Sequence, residues 1–188
     1  PEALADGWAG ININEAGFDQ SGTSIRTTMG EQVLAVNYRQ KALLVRVEGE
    51  NYRGVLAIAK VPARVSIEMS EGIGSYGQLA GEIAQANNGI LAMTCNGFLD
   101  PDGKGNGGEL AGYAMSDGVS YGAHYPYYEG FPYYRMELHT DHWMSIKRVD
   151  EPVDPDCRDA IEFQPPLIID GEILHNESWV SENPRACI

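Results

Sequence analysis

KALLVRVEGENYRGVLAIAKV, Lys41 to Val61, is the stretch on which the fold turns. Val, Ile and Leu crowd both halves, and Gly49-Glu50-Asn51 separates them with residues suited to a tight turn. It predicts two antiparallel strands. With the text back to Gln32 and with ARVSIEM beyond Pro62, it extends to a meander over Gln32 to Met69.

Downstream, SEGIGSYGQLAGEIAQANNG places Leu79, Ile83 and the alanines at helical spacing and stops at Asn88-Gly89, predicting a helix of about three turns. GILAMTC reads as a short buried strand. Three hairpins follow. LAGYAMSDGVSYG turns at Asp117-Gly118, YRMELHTDHWMSIKR near Asp141, and PPLIIDGEIL at Asp170-Gly171. The acidic, Pro-containing stretch Asp150 to Asp159 reads as a loop. The expected class is α+β, a mixed and mainly antiparallel β-sheet with hairpins and few helices.

The 188 residues, 43% of them hydrophobic, suit a single domain over 1–188 with one sizeable core. A formal charge of −14 repels phosphate backbones, so no nucleic acid is expected as a partner. An anionic substrate needs a local Arg or a fan of backbone N–H groups to overcome that field. No run reaches the roughly 18 apolar residues of a membrane span, so none is expected. The chain opens on PEALADGW, without a starting Met or an apolar leader core, and is expected to be a trimmed or mature piece. Three cysteines, Cys95, Cys157 and Cys187, without CxxC spacing argue against a disulfide framework and a zinc knuckle.

Four signals carry chemistry. GIGSYG, Gly72 to Gly77, matches a dinucleotide fingerprint by letter, yet Glu71 stands where an apolar strand end is wanted and the surrounding strands read as antiparallel. CNGFLDPDGKGNGG, Cys95 to Gly108, holds five glycines, two aspartates and two asparagines. Lys104 and Ala111 occupy positions where an EF-hand needs oxygen ligands, which excludes that motif; a looser calcium site from Asp100, Asp102, Asn106 or Glu109 stays open. No other cofactor is expected. His139-Thr140-Asp141-His142 gathers zinc-type ligands, but a strand directs His142 away from His139 and Asp141, and a hairpin is the simpler reading. YPYYEGFPYY, Tyr125 to Tyr134, packs six aromatics into ten residues, either as a platform for sugar rings or as a cluster lying on the sheet.

Read in order, GILAMTCNGFLDPDGKGNGGELAGYAMSDGVSYG resembles the phosphodiester glycosidase family, of the N-acetylglucosamine-1-phosphodiester α-N-acetylglucosaminidase type, and its bacterial members above all. YRGVLAIAKVPARV is similar to that family's early strand pair, QPPLIIDGEI to its Pro-Pro-Leu hairpin and NPRACI to the start of its Pro-Arg-Thr-Ala-Ile-Gly motif. The likeness spans roughly Leu43 to Ile188 and leaves about 1–31 as an N-terminal extension. There are departures: Asn96 stands two residues before Phe98 where the family has its Asn three or four before, and Ala186-Cys187 replace Thr-Ala. The family continues beyond the motif at which this chain ends. The resemblance therefore implies a second polypeptide or a continuation that carries the C-terminal half of the domain and completes the sheet.

The resemblance implies a hydrolase that cleaves a sugar from a glycosyl-1-phosphodiester, secreted or in the cell envelope, on envelope or capsule-type glycans. The leaving phosphate monoester needs cationic and N–H stabilisation more than a strong acid. Arg185 would supply a bidentate fork and Asn96 would orient phosphate or a sugar hydroxyl, the two catalytic assignments. Thr94, Gly97, Asp100, Asn106 and Tyr127 would line the substrate site. A carboxylate is also needed; Asp100 and Glu82 are the candidates within the chain. The altered Asn turn and the aromatic loop suit a non-catalytic carbohydrate-binding relative as the alternative, and a dinucleotide protein through Gly72–Gly77 comes third.

Overall fold

Gln32–Asn37 and Ala42–Glu48 pair antiparallel through Val33↔Val45 and Asn37↔Ala42, and Ala42–Glu48 pairs in turn with Arg53–Ala59 through Ala42↔Ala59 and Glu48↔Arg53. These are strands β2, β3 and β4; with the short β1 (Ile25–Arg26) they make a four-stranded sheet in the order β1-β2-β3-β4. The computed structural model describes residues 25–27, 29–37, 39–99, 103, 107–130 and 132–174. The chain divides into two compact units, 1–65 and 66–188.

The first unit is the expected meander. Alternation along β3 buries Leu43 and Val45, which meet Val33, Val36 and Ile58. Gly49 gives its N–H to the Tyr52 carbonyl (3.0 Å), and the Tyr52 ring fills the place a Cβ on Gly49 would need. ARVSIEM is not the further strand expected. Pro62 opens a 3-10 turn, Pro62–Arg64, closed by Val65 N–H to the Pro62 carbonyl (2.9 Å), and residues 65–70 carry no strand.

The second unit holds α1 (Ala80–Ala86), the short pair β5 (Gly97–Leu99) and β6 (Glu109–Ala111), and a five-stranded sheet. That sheet comprises β7 (Tyr113–Ser116), β8 (Val119–Gly122), β9 (Tyr134–His139), β10 (Met144–Arg148) and β11 (Cys157–Phe163), in the order β10-β9-β11-β7-β8. A last hairpin joins β12 (Ile168–Ile169) to β13 (Glu172–Ile173). Every strand pair among the described residues is antiparallel, so the fold is α+β and mainly antiparallel. The hairpin turns fall where the sequence puts them. Asp117 (φ 47°) and Gly118 (φ 76°) make the two-residue turn of β7–β8, and Asp170 (φ 51°) and Gly171 (φ 79°) that of β12–β13.

Helix α1 is seven residues, not three turns. Leu79 is its N-cap, with its N–H held by the Glu82 carboxylate (2.9 Å), and the upstream GIGSYG is spent on a turn over residues 71–75 with Gly74 at φ 88°. The expected stop holds: Asn88 lies at φ 55° and Gly89 N–H reaches the Ala84 carbonyl (2.6 Å). GILAMTC is not a buried strand. Residues 91–95 have no ladder partner among the described residues, and Ile90, Leu91 and Met93 are exposed.

The strand the sequence hid is β11, at the centre of the large sheet. Its first three residues belong to the stretch read as a loop, which gives way to strand at Cys157. One face of this sheet is apolar: Met136 and Ile161 are buried with Ile67, packed by Leu138, Phe163 and Cys95. The register sets the opposite face, where Glu162 pairs with Arg135 and Ala160 with Glu137 on β9, and Ser145 and Lys147 of β10 lie beside Glu137 and Arg135. Tyr113, Ala160 and Cys157 bury there under Val153 of the 149–156 loop. This second face carries the polar groups described next.

Candidate functional site

Glu162 organises one cluster. Its carboxylate is fully buried, and Oε2 accepts the backbone N–H groups of Tyr113 (3.1 Å) and Tyr125 (2.8 Å). Oε1 pairs with Nδ1 of His124 at 2.5 Å. A buried carboxylate with three donors is satisfied and fixed. The His124 side chain is 43% exposed, and its ring stacks on Tyr113 (centroids 4.1 Å apart). In the tautomer that donates from Nδ1 to Glu162, Nε2 is the acceptor nitrogen of this half-exposed ring. This is the carboxylate–histidine relation of a general base, in which the buried partner sets tautomer and orientation.

Asn96 joins this cluster from the glycine-rich stretch. Its Nδ2 donates to the Tyr113 carbonyl (3.0 Å), while its Oδ1 is buried without a hydrogen-bond partner. Beside it Gly97 pairs with Ala111 in the β5–β6 ladder, and the Tyr125 phenol stands 4.0 Å from where a Gly97 Cβ would be. Tyr125 stacks on Tyr133 (3.9 Å) and its ring lies on Gly112, where φ of 83° and the absence of a Cβ both serve the approach. Burial foremost, then Tyr133 and the Glu162 charge, push the Tyr125 phenol above its ordinary range.

Asn96, Gly97, Tyr113, His124, Tyr125 and Glu162 thus converge. Of the sequence candidates, the structure brings Asn96 and Gly97 together here. Thr94 is exposed, two residues before Asn96. Tyr127 is engaged differently, with the Arg148 guanidinium 4.9 Å from its ring centroid. Arg185, Asp100, Asp102 and Asn106 lie outside the described residues. Glu82 caps α1, which accounts for its carboxylate. The Cys95 thiol is pushed up by burial, and that of Cys157 is raised to about 12 by burial first and the Glu137 charge second, so neither is an activated nucleophile.

A second cluster runs along β9, where Arg135, Glu137 and His139 alternate on one face and are fully buried. Arg135 gives Nε to Glu137 (2.7 Å) and Nη2 to the Glu151 carbonyl (2.9 Å). His139 stacks flat on Trp143 (3.8 Å, 1°), with Nδ1 on Asp156 (3.2 Å) and Nε2 on Ser145 (2.9 Å). Asp154 gives its N–H to Glu137 (3.1 Å) and pairs with Lys147. That hydrogen bond holds the Asp154 carboxyl below its ordinary range and lifts the Lys147 ammonium above its own. The His139–His142 segment is the hairpin expected: His142 sits at φ 72° and is exposed, as is Asp141.

His124 and Glu162 were missed in the sequence because a lone His before the aromatic loop and a Glu inside CRDAIEF match no spacing rule. The second cluster left a readable trace. RMELH puts Arg, Glu and His at i, i+2 and i+4, one face of a strand.

A separate cleft of about 180 Å³ is lined by Pro132, Tyr134, Gln164 and Pro166, and Oε1 of Gln164 is buried there without a partner. No protein-family model, curated protein or solved structure matches the chain.

Proposed function

We propose that the protein is a hydrolase that cleaves a sugar from a glycosyl-1-phosphodiester, with the cluster around Asn96 as its site. The observation that supports this most is the pairing of buried Glu162 with half-exposed His124, next to an Asn96 whose Oδ1 has no partner. The proposed step breaks the sugar C1–O bond. Water adds its hydroxyl to C1, its proton goes to Nε2 of His124, and the bond electrons leave with the phosphate monoester. Glu162 stabilises the imidazolium that forms, and Asn96 Oδ1 accepts a sugar hydroxyl. Arg185, in this reading, neutralises the departing phosphate. In this reading the protein is exported and acts on envelope or capsule-type glycans.

The test is incubation of the complete protein with a chromogenic sugar-1-phosphodiester. Turnover that His124→Ala reduces at least about a hundredfold supports the assignment. Turnover unchanged in that variant removes His124 from the reaction.

A second reading, carbohydrate binding without hydrolysis, has its own support. Tyr127 and Tyr128 expose their rings, and the Tyr134–Gln164 cleft combines flat apolar walls with an unpaired polar atom. Saturable glycan binding without release of free sugar favours this reading over the first.

A further inference from the structure

Glu137, His139 and Asp154 each offer one ligand atom, and the three atoms lie within 4.8 Å of one another. We propose that they form a site for a divalent transition-metal ion of the zinc type, with Ser145 Oγ or water completing the shell. The site would tie the 149–156 loop to the sheet.

The donor chemistry fits such an ion: one imidazole and two carboxylates are the mixed N/O set that zinc accepts at about 2.0–2.2 Å. His139 Nε2 and Asp154 Oδ2 stand 3.9 Å apart, a gap that two such bonds span. Each ligand is also oriented from outside, as metal ligands usually are. Asp156 takes Nδ1 of His139, which leaves the Nε2 lone pair facing Asp154 and Ser145. Arg135 holds Oε1 of Glu137. Lys147 holds Oδ1 of Asp154, the oxygen other than the one turned to His139. The ions on Glu137 and Asp154 therefore orient the site; Oε2 of Glu137 accepts the Asp154 N–H and has a second lone pair for the metal. His139 is fully buried, whereas the Asp154 side chain is 28% exposed, so an ion enters from the loop side.

Charge also suits a cation here: three carboxylates of the cluster, Glu137, Asp154 and Asp156, stand against two permanent cations, Arg135 and Lys147.

The experiment reads metal uptake directly. The protein is stripped with EDTA and titrated with Zn²⁺ by calorimetry and with Co²⁺ by visible absorption, alongside Asp154→Asn, His139→Gln and the surface control Asp141→Asn. Circular dichroism checks the fold of each, and Asp154→Asn carries the test if His139→Gln does not fold. The expected result is one equivalent of Zn²⁺ and cobalt ligand-field bands in wild type and Asp141→Asn, with affinity at least about tenfold weaker in Asp154→Asn. Bound Co²⁺ should also quench Trp143, whose ring lies 3.8 Å from that of His139. A folded wild-type protein that takes up neither ion, or an Asp154→Asn variant that binds as wild type does, overturns the proposal and leaves a metal-free network of hydrogen bonds and ion pairs in its place.

Discussion

Glu162 and His124 differ in what their loss should do, and that difference separates positioning from chemistry. Glu162→Ala strands two backbone N–H groups in the interior, and truncating a buried, multiply bonded carboxylate costs about 3 kcal/mol; urea unfolding should read it directly. His124 is half-exposed, so His124→Ala should leave stability within about 1 kcal/mol of wild type while hydrolysis falls. Equal destabilisation by both would make the pair structural. For Cys157 a thiol raised to about 12 means almost no thiolate at pH 8, and burial pushes Cys95 in the same direction. Iodoacetamide should therefore leave both unmodified in the native protein and label them after denaturation, as peptide mass mapping would show. Rapid native labelling of Cys95 would contradict the burial that raises it.

Among the elements, the hairpins were legible because turn chemistry is local: Asp117-Gly118 and Asp170-Gly171 adopt the positive φ that their residue types favour. Two glycines in this unit should then respond differently to Ala. At Gly118 a Cβ meets open space and only the φ of 76° resists, at a cost of about 1 kcal/mol. At Gly112 the same strain is joined by collision with the Tyr125 ring, so Gly112→Ala should lose clearly more in chemical denaturation. What the sequence concealed was long-range. CRDAIEF carries Arg158, Asp159 and Glu162, and a strand so charged does not announce itself as the centre of a sheet. It became central because its partners lie elsewhere in the chain: Asp159 accepts the Asp117 N–H and Glu162 those of Tyr113 and Tyr125. GILAMTC misled in the opposite way, since its apolar composition suits a strand but no neighbour pairs with it among the described residues. The glycine-rich stretch singled out Asn96 and Gly97, which the structure sets beside Tyr113 and Ala111, whereas the carboxylate–histidine pair exists only once β11 is in place.

At the scale of the molecule, protection should follow the ladder. Strands β9 and β11, paired on both sides, should show slow amide exchange, and residues 91–95 fast exchange among the described residues of the second unit. Slow exchange over 91–95 in the isolated chain would show that the segment is covered. For a protein of net charge −14, handling an anionic phosphodiester demands local positive charge and fixed donors, which makes the reaction a stringent claim for this chain. The central claim is tested most directly by incubating the purified complete protein with a sugar-1-phosphodiester and following free sugar and phosphate monoester together by mass spectrometry. The account predicts both products in equal amounts, with ¹⁸O from labelled water found in the sugar because C1–O is the bond that breaks, and with loss of turnover in His124→Ala. No release from a folded wild-type protein, or ¹⁸O in the phosphate, would contradict it.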